Sequence, residues 1–300
     1  MAKRKNKKVT VNRNYKDTVF RKLFSDRRNL LSLYNAINGT AYTDETKLEI
    51  VTLENAIYMG IKNDLAFIID TNLFLYEHQS TYNPNMPLRD LFYISSEYQK
   101  LVDRKSLYSS ILLKLPAPNF IVFYNGKRKM PDRWTNCLSE SYENQQGEPN
   151  LELKVVTINI NRDCNRQLME QCRILGEYAQ YVEKVRKNAE TMSLDVAVKE
   201  AVDECIQKGI LADFLRVNRA EVIAMSIFEY DKEEEEQKLQ ATYEKIGEKR
   251  GIQIGEKQGE LKKAKSIAIS LAQEGESVER IARILGETEK TIKEWLAETH

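Results

Sequence analysis

The chain has 300 residues, 42% of them hydrophobic, so it can form one sizeable core with smaller units attached. Its 46 Lys and Arg residues nearly balance its 45 Asp and Glu residues, so a nucleic-acid surface would require a local excess of positive charge. The absence of a long apolar run predicts a chain that is neither secreted nor membrane-spanning, with the cytoplasm as its expected location. It has only two histidines and four cysteines without a C-x-x-C pair, so carboxylates are the candidates for hydrolytic chemistry.

The first 160 residues predict a domain of mixed helices and strands. Residues 1–13 form a basic arm that either contacts phosphate or only solubilises the chain, because its first eight residues include five basic residues and no acid. Residues 14–160 are predicted to fold in the order α-β-β-β-α-β-β. The predicted ranges are one or two helices in 15–37, strands in 48–53, 61–69 and 73–81, a helix in 88–102, and strands in 120–124 and 151–160.

After residue 160 the pattern becomes helical throughout, so the C-terminal part is expected to be all-α. Helices over 166–187, 193–208 and 210–230 predict a region, residues 161–232, that packs on the core. An acidic stretch at residues 231–238 marks a boundary, and residues 233–262 are predicted to be a charged helical linker. Its glycines recur every four residues and either admit a closely packed partner or belong to a weakly helical spacer. They are Gly247, Gly251, Gly255 and Gly259.

Two acidic residues lie within the apolar strands of a predicted hairpin. If residues 70–71 form the turn, Ile69 pairs with Asn72. Asp64 then lies opposite Glu77, with about 5 Å between the Cβ atoms. A turn shifted by one residue keeps the two acids on one face, whereas a three-residue turn separates them. Adjacent carboxylates repel each other unless a cation lies between them, and oxygen ligands suit Mg²⁺ or Mn²⁺. The alternative is that both acids are ordinary surface charges.

The spacing of Asp64, Glu77 and Gln79 resembles the D…(D/E)-x-K signature of the PD-(D/E)XK nuclease superfamily. The segments KNDLAFIID, YEHQSTYNPNMPLRDLFYIS, LPAPNFIVFYNG and CRILGEYAQYVEKVR closely resemble the Rpn-type recombination-promoting nucleases, which are also described as transposases. The resemblance covers about residues 14–235. It implies a bacterial protein with a restriction-endonuclease-like core, an α/β fold whose mixed sheet has flanking helices, that cleaves DNA with Mg²⁺.

Transferred residue by residue, the resemblance makes Asp64 and Glu77 metal ligands and puts Gln79 in the position of the motif lysine. Glutamine can orient a water but supplies no positive charge, although Rpn-type members commonly have Gln there. Our own hypothesis is that Lys62, opposite Gln79 in the favoured register, supplies the missing cation. Asp17, in the first predicted helix, is a candidate third acid, and helix solubility explains it equally well.

Residues next to the predicted hairpin are further candidates. Arg89, at the start of the following helix, could bind a DNA phosphate near the helix N-terminus or form a surface ion pair. Tyr82, Asn83 and Asn85 lie in the loop before it and could help to position substrate. His78 points to the opposite face of its strand from the two acids and is predicted to be structural.

Residues 263–300 have the spacing of a helix-turn-helix and resemble those of resolvases and sigma factors. Small Ala282 lets the helices cross and Gly286 forms the turn. The expected core residues are Ile281, Leu285, Ile292 and Trp295. The second helix would expose Lys290 and Lys293 to the DNA groove, but a helical hairpin that only packs or oligomerises has the same spacing.

The sequence therefore favours a Mg²⁺- or Mn²⁺-dependent DNA endonuclease associated with recombination or mobile DNA. The alternative is a catalytically inactive DNA-binding or assembly protein that keeps the nuclease fold. DNA is the expected partner in both cases, and the sequence leaves a homo-oligomer open.

Overall fold

The computed structural model describes residues 18–51 and 65–297. The chain divides into two units after Glu234, and each is considered by itself. In the first unit the strands, in chain order, are β1 (Glu49–Ile50), β2 (Leu65–Ile69), β3 (Asn72–Gln79), β4 (Ala117–Tyr124), β5 (Arg133–Cys137) and β6 (Lys154–Asn159). The helices of the chain are α1 (Val19–Phe24), α2 (Arg27–Asn38), α3 (Met86–Leu101), α4 (Arg166–Gln171), α5 (Arg173–Ala189), α6 (Leu194–Gln207), α7 (Ala212–Gln273), α8 (Val278–Leu285) and α9 (Glu289–Ala297).

The strands form one mixed sheet in the order β1-β2-β3-β4-β6-β5. The first three strands are antiparallel, β3, β4 and β6 run parallel, and β5 is antiparallel to β6. The predicted mixed α/β class is confirmed. The predicted element order is wrong in one place, because it lacks β5. That strand lies at the sheet edge and four of its five residues are not buried, so it has no clear apolar alternation.

The β2–β3 hairpin has the register that the sequence favoured. Ile69 pairs with Asn72, and the pairing continues without a bulge to Leu65 and Tyr76. Asp70 and Thr71 form the two-residue turn with φ values of 46° and 63°. Positive φ at both positions is what a tight hairpin turn with right-handed strand twist requires.

Helices cover both faces of the sheet, because the strands are apolar on both sides. Phe67, Tyr76 and Phe123 pack on one face against residues of α1, α2 and α5 to α7. Leu75 and Val122 pack on the other face in a smaller cluster with residues of α3. Because side chains alternate along a strand, odd-numbered residues of β3 point towards α3 and even-numbered residues point away from it.

The second unit, residues 235–300, contains a three-helix core at the C-terminal end of α7 and in α8 and α9. Its buried residues are Ala268, Ile281, Ala282, Ile292 and Trp295, with Leu285 packed against them. Ser277 caps α8, and Gly286 ends it with a φ of 71°. The core predicted for the helix-turn-helix is confirmed. Over the described ranges, no helix combines the length and apolarity that crossing a membrane would need.

Candidate functional site

A carboxylate is buried near the C-terminal end of the central strand β3. Glu77 is 8% exposed and shares its face of β3 with Leu73 and Leu75, which pack towards α3. Its partner in the parallel register is Val122 of β4. A charged group among these apolar residues is costly unless other groups compensate it.

Gln79 and Arg89 provide that compensation through one oxygen of the carboxylate. Glu77 Oε1 accepts hydrogen bonds from Gln79 Nε2 and from Arg89 Nη2, both at 2.9 Å. Met86 Sδ lies 2.7 Å from Gln79 Nε2 and 3.3 Å from Arg89 Nη1, so the thioether contacts both donors. The first turn of α3, which includes Pro87, brings Met86 and Arg89 over the end of β3.

Two oxygen atoms of the Glu77–Gln79 pair remain without a hydrogen bond in the part of the chain that the structure describes. Neither Glu77 Oε2 nor Gln79 Oε1 accepts a hydrogen bond from the described residues. A carboxylate oxygen and an amide oxygen at the end of a strand can bind a hard cation and a water molecule.

Asp90 is a buried acid that the sequence analysis missed. It is 5% exposed, on the same side of α3 as Tyr93, and it forms no hydrogen bond or ion pair with a described residue. Burial, and secondarily the charge of Glu77, raise its pKa well above the ordinary aspartate value, and Arg89 opposes this shift. Tyr93 Oη is also buried and has no hydrogen-bond partner in the described part of the chain.

Asp90 lies at a position whose spacing along α3 matches the buried face of the helix. Helical spacing predicts an apolar stripe of Leu91, Ile94, Tyr98 and Leu101. The first three pack in the α3 cluster, but Leu101 is 51% exposed. The buried stripe comprises Met86, Pro87, Asp90, Tyr93, Ile94 and Glu97. The predicted stripe was wrong at Leu101, and it missed Asp90 and Glu97 because a hydrophobicity pattern does not place acids on a buried face.

Several predicted site residues lie outside the described ranges, namely Asp17, Lys62 and Asp64. Their proposed roles therefore stay predictions, although the hairpin register on which the pairing of Asp64 with Glu77 depends is confirmed from Leu65 onward. Among the residues that the structure describes, no group of three or more His, Cys, Asp or Glu side chains could hold a metal ion.

The other candidates have defined surroundings. Arg89 forms an ion pair with the buried Glu77, and its own side chain is 26% exposed, so the pair is not the surface ion pair that the sequence left open. His78 stacks on Phe20 at 5.2 Å and lies 3.1 Å from the Tyr178 hydroxyl, which confirms its structural position on the opposite face.

The two lysines predicted to contact the DNA groove are each near an acid of the same helix. Lys290 Nζ is 3.9 Å from Glu294 and Lys293 Nζ is 4.0 Å from Glu289. Both lysine side chains are largely exposed, so they stay accessible to a ligand.

At the end of β3 the structure thus brings together a buried carboxylate, an amide and a guanidinium, with a second buried acid beside them. Compared with protein-family models, curated proteins and solved structures, the chain gives no match to any of the three.

Proposed function

We propose that the chain is a divalent-metal-dependent DNA endonuclease of the PD-(D/E)XK type, associated with recombination or mobile DNA. The observation that supports this best is the state of Glu77, a buried carboxylate with Oε1 held by two donors and Oε2 without a described partner. The restriction-endonuclease-like fold belongs to the same proposal, supported by the mixed sheet and the hairpin register.

The candidate metal ligands are all oxygen atoms, which suits Mg²⁺ or Mn²⁺. Glu77 Oε2 and Asp64, if the confirmed register continues by one residue, would hold the ion, and water would complete its shell. A bound ion of this kind lowers the pKa of a water and offsets charge on a phosphodiester.

The protein groups have separate tasks in this proposal. Gln79 Nε2 donates a hydrogen bond to Glu77. The amide oxygen of Gln79, Oε1, is then the acceptor that orients a water. Arg89 supplies the positive charge that Gln79 lacks, because its guanidinium contacts the same carboxylate oxygen. Lys62 remains the alternative source of that charge.

A DNA-binding protein without cleavage activity is the second candidate. The observation in its favour is that Arg89 already neutralises Glu77, so the buried carboxylate needs no metal ion for its charge.

Nicking of supercoiled DNA tests the proposal. We expect wild-type protein to nick with Mg²⁺ or Mn²⁺ and not with Ca²⁺ or EDTA, and Glu77→Gln to lower the rate by at least about 100-fold. The matched control is Glu97→Gln, which removes another buried acid of the α3 layer, one that is paired with Lys100. It should retain the wild-type rate.

The same assay separates the alternatives. DNA binding without nicking by wild-type protein in either metal would favour the inactive binding protein. Wild-type rates for both Lys62→Ala and Lys62→Arg, with a lower rate for Arg89→Ala, would leave Arg89 as the relevant cation.

A further inference from the structure

Three consecutive basic residues follow strand β4. Lys127, Arg128 and Lys129 are exposed and form no ion pair with the described residues. The chain has a formal net charge of only +1, so this run is the kind of local excess that a polyanion would need.

These residues line a polar cleft of about 720 Å³ at the C-terminal ends of β4 and β6. Six basic side chains and three acidic ones line it. The basic residues are Lys127, Arg128, Lys129, Arg162, Arg186 and Lys187, and the acidic ones are Asp132, Glu183 and Glu190. Glu183 pairs with Arg162 at 3.0 Å, and Arg186 pairs with the buried Glu233 at 3.6 Å. Four cations, Lys127, Arg128, Lys129 and Lys187, then stand against two acids, Asp132 and Glu190.

The loop that bears the three cations is fixed against the end of β3. Asn125 N–H donates to the Gln79 carbonyl oxygen at 2.8 Å. A Cβ atom at Gly126 would clash with the Ser80 carbonyl oxygen, so only glycine allows this approach. Lys127 follows by one residue, and its backbone is therefore within about 7 Å of Asn125. The cleft begins beside the strand end that bears Glu77.

Arg186, which is ion-paired with the buried Glu233, contacts the amide side chains of Asn125 and Asn161 at the floor of the cleft. Arg186 Nη1 donates to Asn125 Oδ1 at 2.8 Å and to Asn161 Oδ1 at 3.3 Å. Arg186 Nε and Asn125 Nδ2 are both buried and have no partner among the described residues. Buried N–H groups without an acceptor are costly, and an acceptor oxygen of a ligand, such as that of a phosphate, would satisfy them.

Aromatic rings lie at one side of the basic loop. The Arg128 guanidinium is 5.5 Å from the centre of the Tyr82 ring, and Tyr82 lies 6.3 Å from Trp134. Both rings are partly exposed. Aromatic and guanidinium planes beside a cationic groove are the features with which proteins bind unpaired bases and their backbone.

We propose that this cleft binds a single-stranded segment of DNA, with its phosphates on residues 127–129 and a base against Tyr82 or Trp134. A strand bound there would leave the cleft beside Glu77 and Gln79. The inference deepens the proposed function and rests on it for the identity of the polymer.

Binding can be measured separately from cleavage. The probe is a fluorescently labelled single-stranded oligonucleotide, titrated with the full-length protein in EDTA and followed by anisotropy at several salt concentrations. We expect Lys127→Ala/Arg128→Ala/Lys129→Ala to raise Kd about tenfold or more and to reduce the slope of log affinity against log salt by about 2. Tyr82→Leu should weaken single-strand binding more than duplex binding.

The matched control removes the same charge elsewhere in the first unit. Arg104→Ala/Lys105→Ala/Lys114→Ala also changes three exposed cations that lack an ion pair in the described chain, and Kd should change less than about twofold. Equal losses in the two triple variants, or wild-type binding by the cleft variant, would overturn the inference. Circular dichroism establishes that each variant is folded.

The binding assay in EDTA and the nicking assay together separate this inference from the proposed function. If only the cleft variant loses binding and wild-type protein does not nick DNA, the cleft inference is retained and the nuclease proposal is rejected. Nicking that depends on Glu77, with undiminished binding in the cleft variant, would do the reverse.

Discussion

At the scale of single residues, Asp90 is the least well compensated acid of the α3 layer. Glu77 has Arg89 and Glu97 has Lys100, whereas Asp90 has no partner among the described residues. Its raised pKa means that the folded chain binds this proton more tightly than the unfolded chain does. The free energy of unfolding therefore falls as the pH rises from the ordinary aspartate pKa through the raised one.

Asp90→Asn should remove that dependence. We expect it to raise the free energy of unfolding by about 1–2 kcal/mol at pH 7 and to have little effect near pH 3, where both states are protonated. Urea unfolding at the two pH values measures the difference. Asp213→Asn, which changes a fully exposed acid paired with Arg216, should show neither effect. A loss of stability at pH 7 would mean that the charged Asp90 is required in the folded protein.

At the scale of elements, the four glycines of α7 show what a helix can tolerate. Gly247, Gly251, Gly255 and Gly259 are exposed, and a Cβ atom added at any of them would meet no described atom within 4 Å. The spacer interpretation is therefore favoured over close approach by another part of this chain. Each glycine lowers helix stability by roughly 0.5–1 kcal/mol relative to alanine.

Replacing all four glycines of this stripe with alanine should increase helicity and thermal stability, measured by far-UV circular dichroism. The matched substitution Gly286→Ala should lower stability instead, because Gly286 has a φ of 71°. A fourfold variant that loses self-association in sedimentation, or melts earlier than wild-type protein, would favour a stripe on which a second chain packs.

The elements that sequence periodicity predicted well are those with a strong apolar pattern. The β2–β3 hairpin follows from two apolar runs on either side of a short polar turn, and its register is the favoured one of the three turns that the sequence allowed. The edge strand β5 has no such pattern. Asp90 is an acid on the buried face of α3, where it interrupts the apolar pattern of that helix. The contact of Arg89 with Glu77 could not be predicted either, because it depends on how α3 crosses the end of β3, which local sequence does not encode.

At the scale of the whole molecule, positive charge is concentrated locally, in the cleft of the first unit. The near-zero net charge of the chain hides a cleft with six basic and three acidic residues. Residues 263–297, in contrast, contain six basic and six acidic residues. Since phosphate attraction depends on local excess charge, the cleft is the stronger candidate for holding DNA, and the helix-turn-helix module is the weaker one.

Lys290→Ala/Lys293→Ala tests this ranking on duplex DNA. Each lysine is near an acid one turn away, and exposed pairs of this kind contribute less than about 1 kcal/mol, so the lysines are available but their acids repel phosphate. We expect the double variant to weaken duplex binding less than about threefold in an anisotropy titration.

Glu289→Gln/Glu294→Gln provides the opposite change on the same helix face. If α9 meets DNA, removing these acids should tighten binding, because the repulsion is relieved while both lysines remain. A tenfold loss in the lysine variant together with tighter binding in the acid variant would make the C-terminal helices, rather than the cleft, the principal DNA contact.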